Sequence, residues 1–188
     1  MRPEDQPRFP AVTATLRDGR EVALRLIAAD DAEALGDFYE SLPRATWRFY
    51  CPPVLTRADA VRRARWATSP TFVCLVAVDS ATGGIAGYNW YQWKDEESPT
   101  SVFGICLREA FRGVGLGRAL MGRLLEIAEE VGPPTMSLTV QLANPRAVAL
   151  YQKMGFHIVR QQMRGQVADF EAEPEYYMEQ SIRGPQNN

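Results

Sequence analysis

The chain has few of the residues that build metal sites and disulfide frameworks. It contains one histidine, and its three cysteines, Cys51, Cys74 and Cys106, are scattered along the sequence. Neither their number nor their spacing matches a zinc site, so we expect no bound metal. Three cysteines without a pattern also argue against a secreted disulfide scaffold and favour a reducing, cytoplasmic location.

Long apolar segments and a large excess of one charge are absent as well. No apolar run approaches the roughly twenty residues that span a bilayer, and the first residues are rich in proline, arginine and glutamate, unlike a signal peptide. The net charge is −2, whereas nucleic-acid-binding domains are usually clearly basic. We therefore expect neither a membrane nor a nucleic acid as a partner.

The composition is that of one ordinary globular domain. The 188 residues are 46% hydrophobic and 23% charged, and this length suits one full core better than two. We expect a single domain over residues 11–182. Residues 1–10, which include three prolines, and residues 183–188 are predicted to be flexible tails.

Periodicity predicts a mixed α/β chain with the element order β-α-α-β-β-β-α-β-α-β-β. The predicted strands are residues 22–27, 72–78, 85–93, 101–107, 136–140, 156–162 and 175–181. The predicted helices are residues 30–41, with Asp30 as the N-cap, and residues 57–67, 117–131 and 145–154.

A glycine-rich turn at residues 112–118, with the sequence RGVGLGR, is the most informative segment of the chain. It follows an apolar strand and opens a helix whose apolar positions include Leu116, Leu120 and Leu124. The first N–H groups of a helix have no partner inside it, and the helix dipole favours an anion at that end. Glycine lets the backbone approach a phosphate closely. The segment therefore predicts a phosphorylated ligand.

The spacing of the turn excludes two common phosphate-binding loops. A P-loop needs a lysine followed by serine or threonine, which the segment lacks. A dinucleotide loop needs Gly-x-Gly-x-x-Gly, but the last position is Arg118 when counted from Gly113 and Leu120 when counted from Gly115.

A second motif lies about thirty residues further on, at residues 138–156, which read LTVQLANPRAVALYQKMGF. Asn144 suits a helix N-cap and Pro145 suits the first helical position. Gly155 is placed to end this helix, so the motif predicts a strand followed by a short, well-delimited helix.

Together the two motifs resemble the signatures of the GNAT N-acetyltransferase superfamily. The turn is similar to its acetyl-CoA loop, Arg/Gln-x-x-Gly-x-Gly/Ala, and residues 138–156 fill every fixed position of L-x-V-x-x-x-N-x-x-A-x-x-L-Y-x-K-x-G-F. The resemblance implies a mixed α/β fold, with a central, mostly antiparallel sheet whose parallel strands splay, flanked by helices. It also implies acetyl-CoA as the acetyl donor, an amine as the acceptor and no metal, and it leaves a homodimer open.

The resemblance assigns the cofactor contacts to the turn and to the strand before it. Backbone groups of the turn would hold the CoA pyrophosphate, and its two arginine side chains either add charge or stay solvated. The turn residues are Arg112, Gly113, Val114, Gly115, Leu116, Gly117 and Arg118. The strand residues, whose free backbone groups would bind the pantetheine amides, are Ile105, Cys106 and Leu107.

Two side chains of the second motif have both a functional and a structural interpretation. The resemblance makes Asn144 a cofactor contact, and helix capping accounts for it equally well. It makes Tyr151 the general acid that protonates the departing CoA thiolate. The alternative for Tyr151 is a tyrosine of the core with a hydrogen-bonded tip.

The sequence offers no clear general base for deprotonating the amine. Many members of the superfamily carry a glutamate on the strand before the turn, but residues 101–107 contain no carboxylate. Glu109 beyond this strand is more typical of an exposed residue, and His157 of a surface or structural one. A water wire to Ser101, Tyr88 or an acidic loop is the remaining route.

Aromatic and acidic clusters are candidates for acceptor recognition. The aromatic residues either wall an acceptor pocket or pack in the core, and they are Tyr88, Trp90, Tyr91 and Trp93. The acidic residues either steer a cationic amine or form a solvated surface, and they are Asp169, Glu171, Glu173 and Glu175.

The N-terminal part has a weaker resemblance to acetyltransferase modules associated with protein-lysine acetylation. It rests on residues 18–25, DGREVALR, and on a partial match at residues 41–50, SLPRATWRFY. The acceptor is therefore left open between a protein lysine, a protein N-terminus and a small-molecule amine. A non-catalytic acyl-CoA-binding module is the alternative function.

Overall fold

An eight-stranded sheet forms the centre of the computed structural model, which describes residues 1–50, 55–166 and 169–183. In chain order the strands are β1 (Val12–Thr15), β2 (Glu21–Leu26), β3 (Phe72–Asp79), β4 (Ile85–Gln92), β5 (Thr100–Leu107), β6 (Thr135–Gln141), β7 (His157–Arg164) and β8 (Glu173–Ser181). Their order across the sheet is β1-β2-β3-β4-β5-β6-β8-β7. All neighbours are antiparallel except β5 and β6, so the mixed, mostly antiparallel fold is confirmed.

Four helices cover the two faces of this sheet. They are α1 (Ala32–Glu40), α2 (Arg57–Arg65), α3 (Leu116–Ala128) and α4 (Pro145–Lys153). One hydrophobic cluster joins α1 and α2 to one face of the sheet, and a second joins α3 and α4 to the other. In the part of the chain that the structure describes, no helix is long and apolar enough to cross a membrane.

The parallel strands β5 and β6 are paired over only three positions. Thr100 lies opposite Thr135, Ser101 opposite Met136 and Val102 opposite Ser137. Beyond this point β5 continues to Leu107 and β6 to Gln141 without pairing to each other. The splayed parallel strands are thus confirmed, and they leave an opening in the middle of the sheet.

The N-terminal region differs from the sequence prediction. Residues 1–10, expected to be a flexible tail, contain a 3-10 helix over Pro3–Arg8, and Met1 and Phe9 belong to the hydrophobic cluster beside α3. These two apolar side chains, 1% and 7% exposed, hold the segment against the domain. Strand β1 was also not predicted, because a strand of four residues is too short to show a clear alternation of apolar and polar residues. Cys51 and residues 184–188 of the expected C-terminal tail lie outside the described residues.

The start of α1 depends on Asp31 and not on Asp30, which the sequence suggested as the cap. The Asp31 carboxylate accepts from the Ala28 N–H at 2.8 Å and from both terminal nitrogens of Arg25 at 2.6 and 2.7 Å. Burial alone would raise the pKa of Asp31, but these hydrogen bonds outweigh it and hold the pKa below its ordinary value. The ion pair thereby ties β2 to the first turn of α1.

We expect Asp31→Asn to destabilise the protein by about 1–3 kcal/mol, because it weakens charge-assisted hydrogen bonds in a mostly buried position. Since the pKa of Asp31 is lower in the folded state, its contribution is complete above the unfolded value of about 3.9 and is lost as the pH falls through the folded value. Urea unfolding from neutral to acid pH checks this. The difference in free energy of unfolding between Asp31→Asn and the wild type should disappear in acid. Asp30→Asn is the matched control. A difference that stays the same at every pH contradicts the prediction.

Candidate active site

The glycine-rich turn presents a row of free backbone N–H groups at the start of α3. Gly113 and Gly115 have φ angles of +79° and +101°, which favour glycine, and Gly115 is the N-cap of the helix. The first N–H bonded within the helix is that of Ala119, which donates to the Gly115 carbonyl at 3.1 Å. Among the described residues, no backbone carbonyl accepts from the N–H groups of residues 113–118. The turn is therefore built to receive an anion.

The β1–β2 hairpin supports this turn from the outside. The Arg17 N–H donates to the Val114 carbonyl at 2.9 Å, and the Arg20 guanidinium donates to the Ala110 carbonyl at 2.6 Å. The Arg20 guanidinium also lies 3.9 Å from the centre of the Phe111 ring. These contacts between the hairpin and the turn were not predicted from the sequence, although Asp18-Gly19 is a typical hairpin signal.

The two arginines of the turn occupy different environments. Arg112 is half-buried and donates to the Tyr50 hydroxyl at 3.1 Å and to the Leu107 carbonyl at 3.4 Å. Arg118 is exposed on the first turn of α3. The side chain of Arg112 thus joins the end of β5 to the segment after α1, while that of Arg118 faces solvent.

A cavity of about 130 Å³ fills the opening between β5 and β6. Some of its lining belongs to the cluster on the α1 and α2 side, including Tyr88, Trp90 and Cys106. Other parts belong to the cluster on the α3 and α4 side, including Phe103 and Tyr151. The cavity therefore connects the two faces of the sheet. Its remaining lining residues are Phe49, Tyr50, Val102, Gly104, Ile105, Ser137, Leu138, Thr139 and Tyr177.

Tyr151 reaches this cavity from α4. Its ring meets Phe103 edge-to-face at 6.0 Å and lies 6.0 Å from Phe156. Burial raises the pKa of Tyr151 above its ordinary value, so the hydroxyl stays protonated. The fold brings it together with Ile105 and Cys106 of β5 at the cavity, which Leu107 does not line.

Asn144 is a helix cap. Its side-chain oxygen accepts from the Ala147 N–H at 3.3 Å at the start of α4, and it does not line the cavity. The structural interpretation of Asn144 is thus confirmed, and its contact with a cofactor stays a prediction.

Three residues with reactive side chains are poorly suited to proton transfer or covalent chemistry. Cys106 is a buried free thiol, and burial raises its pKa to about 12, which keeps it protonated and unreactive. Glu109 is exposed in a 3-10 turn, and His157 is exposed at the start of β7. Neither of these two lines the cavity.

The aromatic residues of β4, together with Trp93 just after it, divide between the cavity and the core. Tyr88 and Trp90 line the cavity, and their contact with an acceptor stays a prediction. Tyr91 and Trp93 instead stack on each other at 5.4 Å and pack in or against the α3-side cluster. Tyr50 and Tyr177 were not predicted to line the cavity, because only long-range contacts bring the turn after α1 and strand β8 to it.

The acidic segment after β7 is largely occupied by internal contacts. Glu173 pairs with Arg164 at 2.7 Å and with Arg48 at 3.3 Å, and Asp169 pairs with Arg44. Glu175 is buried in β8 and accepts from Gln162. These pairs fasten the β7–β8 loop to the 3-10 helix at Arg44–Phe49, which contributes Phe49 to the cavity.

No group of three or more histidine, cysteine or acidic residues is placed to hold a metal ion within residues 1–50, 55–166 and 169–183. The features that can take part in chemistry are instead a turn suited to an anion, a neutral tyrosine and a cavity with aromatic walls.

Comparison with protein families supports a common origin with known transferases. The model of the acetyltransferase (GNAT) family matches residues 34–156. Mycothiol acetyltransferase of Corynebacterium aurimucosum is 34% identical over 79 residues, which are 41% of this chain and 26% of that protein. An uncharacterized N-acetyltransferase of Bacillus subtilis is 41% identical over 66 residues, which are 35% of this chain and 42% of that protein. The matched region thus spans less than half of each of these relatives.

Solved structures share the fold over most of the chain. A GNAT-family acetyltransferase from Streptococcus pneumoniae has 25% identity and a TM-score of 0.71, covering 85% of this chain and 99% of that one. A putative acetyltransferase from Salmonella typhimurium, solved with acetyl-CoA, has 19% identity and a TM-score of 0.73, covering 89% of this chain and 97% of that one.

We expect Gly115→Ala to raise the dissociation constant for coenzyme A by about tenfold or more. A side chain at its positive φ costs about 1–3 kcal/mol, and the turn relaxes to relieve that strain, so the N–H groups no longer converge. Isothermal titration with coenzyme A measures the effect. Gly122→Ala is the matched control, because Gly122 lies within α3 and an added Cβ would meet no atom within 4 Å. Unchanged affinity in Gly115→Ala would contradict the prediction that this turn binds coenzyme A.

Proposed function

This chain belongs to the acetyltransferase (GNAT) family, and we propose that it transfers the acetyl group of acetyl-CoA directly to a primary amine. The observation that carries the proposal is the opening between β5 and β6, with the glycine-rich turn near the end of β5 and Tyr151 in the lining of its cavity. A linear cofactor with a pyrophosphate at one end and a thioester at the other suits this arrangement.

The pyrophosphate would lie on the backbone of residues 113–118. Hydrogen bonds to a charged group contribute roughly 1.5–3 kcal/mol each, so several free N–H groups hold it firmly. Arg118 is exposed beside the turn and is available to add charge, whereas Arg112 is engaged with Tyr50 and Leu107.

The pantetheine arm would follow the free edge of β5. Beyond Val102 this strand pairs with β4 on one side only, so the backbone groups of Ile105 to Leu107 that point into the opening have no partner strand there. Such groups form hydrogen bonds with an amide-bearing chain as they would with another strand. The thioester would then lie in the cavity.

Tyr151 is the proposed general acid for the departing thiolate. A tyrosine of ordinary pKa about 10 gives its proton to a thiolate of about 8.5 at a cost of about 2 kcal/mol, and burial of Tyr151 increases this cost. The hydrogen bond that stabilises the developing charge therefore supplies much of its effect, and proton transfer follows as CoA leaves. Its raised pKa ensures that the proton is present when needed.

The acceptor amine would enter from the α1 and α2 side. Tyr50, Tyr88, Trp90 and Tyr177 line this side of the cavity, and such aromatic walls suit the methylene chain next to a primary amine. A cytoplasmic location is proposed with this activity, from the unpatterned cysteines of the sequence.

We expect free CoA thiol to be released when the protein is mixed with acetyl-CoA and a panel of polyamines, amino acids and lysine peptides. Tyr151→Phe should lower kcat by about 100-fold while the affinity for acetyl-CoA stays within about twofold, because the hydroxyl acts on charge that develops in the transition state. Tyr176→Phe is the control, because it makes the same change at a residue of β8 that does not line the cavity. Tight acetyl-CoA binding without turnover across the panel would contradict the enzymatic function.

A further inference from the structure

The proposed reaction needs a group that removes a proton from the attacking amine, and Tyr177 occupies a suitable position. Tyr177 lies on β8 opposite Thr139 of β6 and lines the cavity. Its hydroxyl donates to an oxygen of Glu179, two residues along the same strand, at 2.7 Å. A carboxylate is thus hydrogen-bonded to the hydroxyl of a tyrosine that lines the cavity.

The pair lies at the vertex of the opening in the sheet. Glu179 is opposite Ser137 of β6, and Ser137 is also the last residue of β6 that pairs with β5. Ser137 lines the cavity beside Tyr177, and its hydroxyl donates to the Ser101 carbonyl at 3.0 Å. The wall that carries the pair is therefore fixed by strand pairing on both sides of β6.

We propose that Tyr177 and Glu179 form a proton relay that serves as the general base for the acceptor amine. This inference rests on the proposed acetyl transfer. Tyr177 is the catalytic residue of the relay because it faces the amine. Glu179 acts through Tyr177 and is its positioning and proton-accepting partner.

The relay carries one proton from the acceptor to solvent. The ammonium form of the acceptor passes this proton to the Tyr177 oxygen while the Tyr177 proton moves to Glu179, and the neutral nitrogen then bonds to the acetyl carbon. The nitrogen loses its second proton to solvent, the carbon–sulfur bond breaks, and the thiolate takes a proton from Tyr151. Half-buried Glu179 returns its proton to solvent, and Tyr151 is reprotonated before the next turnover.

The surroundings of Tyr177 keep its hydroxyl protonated, so it relays a proton and does not act as a free phenolate. Burial and the hydrogen bond to Glu179 raise the pKa of Tyr177, although Ser137 and Arg160 act in the opposite direction. Arg160 of β7 lies over the Tyr177 ring at 4.0 Å and stabilises negative charge that develops there. Ionisable groups close to the pair include His157 of β7, which is opposite Glu179, and Glu175 along β8. The cavity lining adds Tyr50, Tyr88, Cys106 and Tyr151.

Other carboxylates lack this relation to the cavity. Glu175 is buried, but it accepts from Gln162 and does not line the cavity. Glu109 is exposed near the glycine-rich turn. Among the cavity-lining residues that the structure describes, Tyr177 has the hydroxyl that donates to a carboxylate.

The test compares Tyr177→Phe, Glu179→Gln and the double variant, using an amine from the panel that the wild type acetylates. We expect kcat to fall by about 100-fold in each single variant, the size of a typical general-base contribution, with the KM for acetyl-CoA unchanged. The double variant should be no slower than the single variants, since both remove one proton pathway. Tyr176→Phe and Glu129→Gln, an exposed glutamate at the C-terminal end of α3, are matched controls that should retain wild-type rates.

Chemical rescue separates a proton-transfer role from a structural one. In Glu179→Ala, added formate should restore part of the lost kcat, and the rates of all relay variants should recover at alkaline pH, where more of the amine is already neutral. Wild-type turnover combined with unchanged rates and pH profiles in Tyr177→Phe and Glu179→Gln would overturn the relay alone. Failure of the wild type to acetylate any amine would overturn the proposed function and the relay with it.

Discussion

The early end of pairing between β5 and β6 determines the rest of this structure. After Val102 and Ser137, β5 stays paired with β4 and β6 stays paired with β8. The sheet therefore behaves as two sheets that are joined at three residue pairs and diverge beyond them. Because unpaired strand edges inside a protein need hydrogen-bonding partners, the proposed function has the pantetheine arm take the place of the missing strand in this gap.

The divergence also depends on side-chain size next to the gap. Gly104 follows the last paired segment of β5, and a Cβ there would lie 2.7 Å from the Trp90 ring. The absence of a side chain lets the Trp90 indole lie against the backbone of β5 at the cavity wall. The Trp90 ring also has the buried Arg63 guanidinium 5.0 Å from its centre, so the wall is held from behind by α2.

Local sequence patterns predicted the parts of the site that lie on one stretch of chain. The turn at residues 112–118 and the α4 helix with its Asn144 cap follow from glycine positions, apolar spacing and capping preferences. The lining residues Tyr50 and Tyr177 were not predictable in this way. Tyr177 depends on the register of β8 against β6, and a shift of one residue would turn it to the other face.

The attachment of the N-terminal region to the domain was also hard to predict from the sequence. Three prolines close to Met1 and Phe9 indicated a flexible tail, and β1 is too short for periodicity to detect. Yet the β1–β2 hairpin holds the glycine-rich turn through the Arg17 N–H and the Arg20 guanidinium. The first twenty residues are consequently part of the scaffold of the site.

This attachment makes ligand occupancy and folding thermodynamically linked. If the N–H groups of residues 113–118 converge only while the hairpin is in place, any ligand they bind stabilises the hairpin by the same free energy. A ligand at one hundred times its dissociation constant adds about 2.7 kcal/mol to the stability of the bound state. Under the proposed function, the concentration of acetyl-CoA would then help set how often the N-terminal strands separate from the domain, and with it the protein's resistance to proteolysis.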